Sequence, residues 1–433
     1  MRQQTSRRNF LQGTAVAGLG YWTAGGVQAK ESKSPNERIQ FGCIGIGGKG
    51  SSDSADAGKN GDVIAICDID EKRLNNAAKS KFKGARKYFD YRKMLDEMEG
   101  KIDAVTVSTP DHNHAPASVM AMRKKIHCFC QKPMTRTLHE ARVMAEVARE
   151  NNLATEMGNQ GTALAGLRRA AATVQAGTLG TVSEVHVWTN RPVWPQGGPR
   201  PKASEVPAHV NWDLWVGPSP MRLYAKGYHP FAWRGYWDFG SGALGDMACH
   251  TSNMAFAALD LRDPISVEAE SSGHNGDSFP KWSVIDYEFA ATDKRPGLKM
   301  VWYDGGKLPD KELLDGNVAK GSGSVIIGDK GSLYSPNDYG AEYQLLGGVE
   351  QPEVDFEESP GHFTEWVRAI RGGKPAMSNF SDYAGPLTET ILLGNLAVWS
   401  GKKVIWDAKT QQAKGTDSLD QIIRPEYRQG YSL

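Results

Sequence analysis

The chain has 433 residues, with 51 Lys plus Arg against 50 Asp plus Glu and a formal charge of +1. That near-balance excludes the polybasic character of a nucleic-acid binder or a membrane-surface protein, and the length fits two or three domains. The five cysteines, Cys43, Cys67, Cys128, Cys130 and Cys249, are odd in number and poorly spaced for a disulfide framework, so buried free thiols are expected.

The N-terminus reads as a targeting segment. Arg7 and Arg8 stand in the context Ser6-Arg7-Arg8-Asn9-Phe10-Leu11, which resembles a twin-arginine export signal. A mild apolar stretch to about Val27 follows, too short and too Gly-rich for a membrane span. Val27-Gln28-Ala29 offers small residues for cleavage after Ala29. The expectation is a signal over residues 1–29, a polar linker over 30–37, passage through the twin-arginine translocase, a periplasmic location and no stable membrane anchor. Proteins exported by that route fold beforehand, which suits free thiols and a cofactor acquired inside the cell.

From residue 38 to 158 strands alternate with helices, the pattern of a parallel doubly wound sheet. The run Ile39–Ile44 is a strand. Gly45-Ile46-Gly47-Gly48-Lys49-Gly50 then matches G-x-G-x-x-G and opens a helix over Ser51–Ala57. In this motif the first Gly makes the turn, the second lets backbone approach a pyrophosphate, and the third packs helix against strand. Helix N–H groups would meet the phosphates. A second strand, Val63–Cys67, ends at Asp68, placed to accept from a ribose hydroxyl or, alternatively, to cap the helix that follows. Asp68 and Asp70 would repel a 2′-phosphate, so NAD is favoured over NADP. Helices over Lys72–Lys83 and Tyr91–Met98 follow. The strand Ile102–Ser108 ends in Thr109-Pro110-Asp111-His112-Asn113-His114, at the sheet edge where ligands bind. Ser108, Thr109, Pro110 and His112 are therefore cofactor candidates. His112 and His114 lack metal-ligand spacing, so no metal is expected, and packing against nicotinamide and substrate is the reading for both. Then come a helix over Ala115–Lys124, a strand over Ile126–Cys130, a helix over Leu138–Asn151 and a strand over Leu153–Met157.

Residues 159–433 read as an α+β domain. A helix over Gly166–Ala176 and a strand over Val182–Thr189 lead into a Pro-, Gly- and Trp-rich stretch with little periodicity, the kind of long irregular segment that is usually functional. Its part from Arg191 to Gly217 is a candidate cover for the cleft. Trp faces pack against sugar C–H faces, although each single Trp here reads more readily as core or subunit interface. Trp194, Tyr228 and Arg234 are the candidate substrate contacts. Asp246 and His250 stand i, i+4, so a helix would put both on one face, and a His is suited to take a hydroxyl proton. Beyond Pro264 come strands over Ile265–Glu270, Ser283–Ala290, Lys299–Tyr303, Ser324–Gly328 and Ser332–Ser335, fitting a mostly antiparallel sheet. Helices over His362–Arg371 and Ala384–Ser400 are expected to cover or abut that sheet.

Taken together, the Gly loop, the T-P-D-H-N-H loop, Phe129-Cys130-Gln131-Lys132-Pro133 and the stretch GSGALGDMACH ending at His250 resemble the glucose–fructose oxidoreductase/inositol dehydrogenase (Gfo/Idh/MocA) family over nearly the whole chain from residue 38. The resemblance implies an α/β Rossmann domain followed by an α+β domain built on a large open, mostly antiparallel sheet. It also implies NAD(P)-dependent oxidation or reduction at a carbinol carbon of a sugar, cyclitol or derivative. Lys132 falls on the family's E-K-P lysine, and Gly242, Asp246 and His250 on its second motif. Gln131 stands where the family usually has Glu, which removes a carboxylate from beside the lysine. The expected catalytic set is Lys132, Asp246 and His250, with Gly45, Gly47, Gly48, Lys49, Gly50, Asp68 and Lys132 at the cofactor. The same residues serve a second reading: a glycosidase or lyase that oxidises a sugar carbon transiently, eliminates, and returns the hydride. The expected partners are a carbohydrate-like substrate and further copies of the chain in a homo-oligomer, with no nucleic acid.

Overall fold

The computed structural model describes residues 38–415 and 418–433. The segment read as an export signal, and the linker after it, lie outside the described residues. None of the helices among the described residues is long and apolar enough to cross a membrane.

The first domain contains β1 (Ile39–Ile44), α1 (Gly50–Asn60), β2 (Gly61–Cys67), α2 (Glu71–Ser80), β3 (Arg86–Tyr88), α3 (Tyr91–Glu97), β4 (Ala104–Val107), α4 (His114–Arg123), β5 (His127–Cys130), α5 (Leu138–Glu150) and β6 (Thr155–Met157). The six strands pair in parallel in the order β3-β2-β1-β4-β5-β6. Strands covered by helices on both faces read as unbroken apolar runs, and β4 is buried at all four residues. The three-residue β3 carries too little pattern to be seen in the sequence. Helix starts are set by caps. Asp70 accepts from the N–H groups of Lys72 and Arg73, and Thr137 with Glu140 closes a capping box on α5, satisfying end donors that the helix itself cannot. Because Asp70 caps α2, Asp68 is released from that role.

The second domain adds α6 (Ala165–Gln175), β7 (Val182–Trp188), α7 (Trp212–Val216), α8 (Gly242–Thr251), α9 (Asn253–Leu259), β8 (Ser266–Ser271), β9 (Ser283–Phe289), β10 (Leu298–Tyr303), β11 (Gly323–Gly328), β12 (Ser332–Ser335), β13 (Gln344–Leu346), α10 (His362–Ile370), α11 (Gly385–Ser400), β14 (Val404–Asp407) and β15 (Gln412–Ala413). Its nine strands run in the order β13-β12-β11-β7-β10-β9-β8-β14-β15. Only β7 and β10 pair in parallel; the other neighbours are antiparallel. An α/β Rossmann domain followed by an α+β domain on a large open sheet is thus the fold. All five cysteines are free and buried, as their apolar settings implied.

Two C-terminal helices tie the domains together. α11 is buried almost all round and packs between α5 of the first domain and β8 and β9 of the second. Glu389 on it accepts two bonds from Arg142, at 2.8 and 2.7 Å. α10 departs from expectation, because it does not cover the second sheet. Its Phe363, Trp366 and Val367 pack with Ile39, Phe41 and Phe129 of the first. The Trp366 ring lies 5.8 Å from Phe41 and 5.7 Å from Phe129, and its Nε1 donates to the carbonyl of Ala154 at 3.0 Å. The apolar stripe of α10 simply matches aromatic surface left open on β1 and β5. Since Trp366 is fully buried, Trp366→Ala should destabilise the protein by about 3–5 kcal/mol, read as a shift of the denaturation midpoint by circular dichroism. A loss below about 1 kcal/mol, the range of an ordinary surface change, would mean that α10 is not part of the nucleotide domain's core.

Candidate active site

The Gly loop is shaped by two close approaches. Gly45 has φ +77° and a Cβ there would sit 2.5 Å from the Ser108 carbonyl oxygen; a Cβ on Gly50 would sit 2.0 Å from the carbonyl oxygen of Gly45. Only glycine fits either place. The N–H of Gly45 donates to Cys67 and that of Ile46 to the Asp68 carboxylate. The next three, on Gly47, Gly48 and Lys49, find no partner among the described residues. Three consecutive unpaired N–H groups at the start of a helix form a cradle for an anion, which is the fit a dinucleotide pyrophosphate requires.

Asp68 lies at the end of β2 and lines the same cleft. Its carboxylate also accepts from the N–H of Asp70 at 2.9 Å, so each oxygen holds one backbone donor and keeps a lone pair for a ribose hydroxyl. Burial pushes its carboxyl up, against those two N–H groups, which favour the anion.

The cleft has a volume of about 500 Å³ and runs from this loop to α8. Ser108, Thr109 and Pro110 from the end of β4 line its middle, as do Gln131 and Lys132 from the end of β5. At the far end Lys132 Nζ donates to Asp246 Oδ1 at 2.9 Å and to the Asp246 carbonyl at 3.0 Å. Asp246 also has Arg234 Nε at 3.3 Å and Arg191 Nε at 3.6 Å. Burial alone would raise the Asp246 carboxyl; Lys132 and then Arg234 overcome it and hold it at about 2. It is therefore ionised at every working pH. Arg234 in turn contacts both oxygens of the fully buried Asp111, at 3.0 and 3.1 Å. One turn after Asp246, His250 lines the cleft with its Nδ1 unpartnered. Burial, reinforced by the charge of Lys132, lowers its pKa well below the ordinary imidazole range. The imidazole is thereby held neutral.

The structure brings Lys132, Asp246 and His250 together with Gly45, Gly47, Gly48, Lys49, Asp68, Ser108, Thr109, Pro110 and Arg234 in one cleft. Other expectations need correction. His112 does not line it: the ring is fully buried, with Nδ1 3.0 Å from the Phe239 carbonyl and Nε2 2.8 Å from the Trp215 carbonyl. Asn113 Nδ2 also lies 2.9 Å from Nε2. Both ring nitrogens are thus taken up by protein groups, and His112 braces the loop. His114 does the same between the carbonyls of Pro133 and Thr109. Trp194 is turned inward, donating to Gln196 at 2.7 Å, and Tyr228 packs with Trp212, Tyr236 and Phe239. Neither belongs to the cleft. Gly50 supports the loop from behind, against Gly45, rather than lining it.

In their place the cleft walls include Arg191, Trp215, Trp233 and Tyr339, which come from segments without clear periodicity. The segment after Arg191 crosses to the nucleotide domain, where Glu71 donates to the carbonyl of His209 and Asn211 to that of Ile69. A Trp- and Pro-rich composition was the only available signal for it.

Comparison with known proteins agrees with this geometry. Residues 39–158 match the model of the oxidoreductase family's NAD-binding Rossmann fold, and residues 171–433 match that of the family's C-terminal alpha/beta domain. The glucose-6-phosphate 3-dehydrogenase of Bacillus subtilis is 26% identical over 121 residues, which is 28% of this chain and 33% of that protein. A glycosyl hydrolase family 109 protein of Solibacter usitatus is 28% identical over 152 residues, covering 32% and 35%. The matched region thus spans about a third of these relatives' length. The fold is shared with the aldose-aldose oxidoreductase of Caulobacter crescentus, at a TM-score of 0.61 and 17% identity over 85% of this chain and all of that one. With both family models matched in order along the chain and a cleft built between the two domains, this protein belongs to the Gfo/Idh/MocA family of NAD-binding oxidoreductases.

Proposed function

We propose that this protein oxidises or reduces a carbinol carbon of a sugar, cyclitol or glycoside with an NAD that it binds tightly and carries through export. The observation that carries the reading is the joining of Lys132, Asp246 and His250 at one end of the cleft whose other end is the anion cradle of Gly47, Gly48 and Lys49. Bound NAD supplies a two-electron hydride acceptor or donor. Asp246 holds the Lys132 ammonium at the cleft, where it can stabilise an oxygen that gains negative charge. His250, uncharged, takes the hydroxyl proton. Its low basicity suffices if the proton moves as hydride leaves the carbon, since the hydroxyl becomes strongly acidic only as the carbonyl forms. In the reverse direction the same step runs backwards: hydride adds to the carbonyl carbon while the imidazole proton passes to the oxygen held by Lys132. The walls of Trp215 and Trp233 suit the C–H faces of a sugar ring.

The names of the relatives support a carbohydrate substrate. The glycosyl hydrolase family 109 relative favours, as a second reading, the redox-neutral cleavage in which the hydride returns to the same molecule. Either way, an exported protein with one NAD must restore its cofactor within each cycle, because a free pool is not expected outside the cytoplasm. Slow release then becomes a requirement, and a segment that crosses from one domain to the other, as Arg191–Gly217 does, is suited to supply it.

Lys132→Met and His250→Asn should each slow turnover by roughly 10²–10⁴-fold while the cofactor stays bound; near-normal turnover in steady-state assays would remove that residue from the chemistry. Asp68→Ala should weaken NAD binding by about 1.5–3 kcal/mol and narrow its advantage over NADP, measured by titration calorimetry on stripped protein. Equal affinity of the unaltered protein for both cofactors would count against Asp68 as the ribose ligand. Mature protein purified from the periplasm without added nucleotide, then denatured, should release near-stoichiometric NAD(H). An empty protein revived only by exchanging NAD would sink the closed cycle. Uptake of solvent deuterium into the substrate ring without net NADH would favour cleavage over net oxidation.

A further inference from the structure

The carboxylate missing from position 131 is present elsewhere. Asp53, on the first turn of α1, is 2% exposed and Gln131 is 5% exposed. Gln131 Nε2 donates to Asp53 Oδ2 at 2.9 Å, and Ser108 Oγ donates to the same oxygen at 2.7 Å. Lys49 Nζ reaches Asp53 Oδ1 at 2.8 Å. On its other side the Gln131 amide oxygen accepts from the backbone N–H of Lys132 at 3.3 Å. Gly158 closes the cage, since a Cβ there would sit 2.6 Å from Gln131 Nε2. One buried carboxylate thus ties together the Gly loop, the end of β4 and the residue beside Lys132.

We infer that Asp53 and Gln131 are a charge-matched pair of positioning residues that sets the backbone of Lys132, and that the amide at 131 is obligatory because Asp53 already supplies the negative charge. This rests on the reading of Lys132 as catalytic. A carboxylate in place of the Gln131 amide would face that of Asp53 oxygen to oxygen, with no donor between them. Such a pair relieves its repulsion by parting or by trapping a proton; with Ser108 and Lys49 already holding the Asp53 oxygens, it is residue 131 that would give way and the 131–132 backbone that would move. Exchanging the Asp53 carboxylate for an amide at the same time would restore the donor and simply reverse the pair, the amide on α1 donating to the carboxylate after β5.

The test is a double-mutant cycle over Asp53→Asn, Gln131→Glu and the two together, in the full chain with its cofactor. Gln131→Glu should lower kcat at least about tenfold with little change in KM, and should lose NAD(H) during extended dialysis. The double variant should recover kcat and NAD(H) retention to within about threefold of the unaltered protein, which is the non-additivity expected of contacting groups. A merely structural role would give additive losses. A neutral Gln131→Glu, or a double variant no better than the single, overturns the pairing. If Gln131→Glu does not fold alone, the double variant still decides: it must fold and retain NAD(H). Absence of turnover in the unaltered protein on every sugar offered would fail the oxidoreductase reading, while NAD(H) retention across the four proteins would still judge the pair.

Discussion

The ion pair between Lys132 and Asp246 is the contact on which the site depends. Lys132 stands just past the end of a buried parallel strand, and Asp246 stands in the middle of a buried helix of the other domain. Neither charge can leave water cheaply. The structure meets that cost by surrounding Asp246 with Lys132, Arg234 and Arg191 and by giving Arg234 a second carboxylate, Asp111. Burial keeps His250 neutral, and the charge of Lys132 adds to that effect against the pull of Asp246.

That pair would not form unless the domains were held in one relation. α11 does this by filling the space between α5 and the second sheet, and α10 by returning to the first sheet from late in the chain. The nucleotide domain is therefore completed by residues that follow most of the second sheet. Crossing connections of this kind hold the two domains together, while the irregular segment after Arg191 lines one side of the cleft and is tied by backbone bonds to the residues that follow β2.

Much of this was legible in the sequence. Alternation of apolar runs with amphipathic stretches marked nearly every element of the first domain to within a few residues, and Gly45 through Gly50 marked the cradle. The i, i+4 spacing of Asp246 and His250 was a true helical face. These features are local: they depend on steric limits of glycine, on side-chain period and on end caps, all of which act over a few residues.

What tertiary structure alone decided is which polar groups the cleft uses. His112, Trp194 and Tyr228 have the chemistry of ligand contacts, yet their partners are the carbonyls of Phe239 and Trp215, the side chain of Gln196 and an aromatic cluster. Gln131 reads in the sequence as a lost carboxylate, and only the fold sets Asp53, 78 residues away, beside it. The sequence determined the elements, the cradle and the candidates among the polar side chains. It did not determine which way a side chain faces or what meets it across the core. Those follow from non-local packing, where residues far apart in the chain compete for the same buried donors and acceptors.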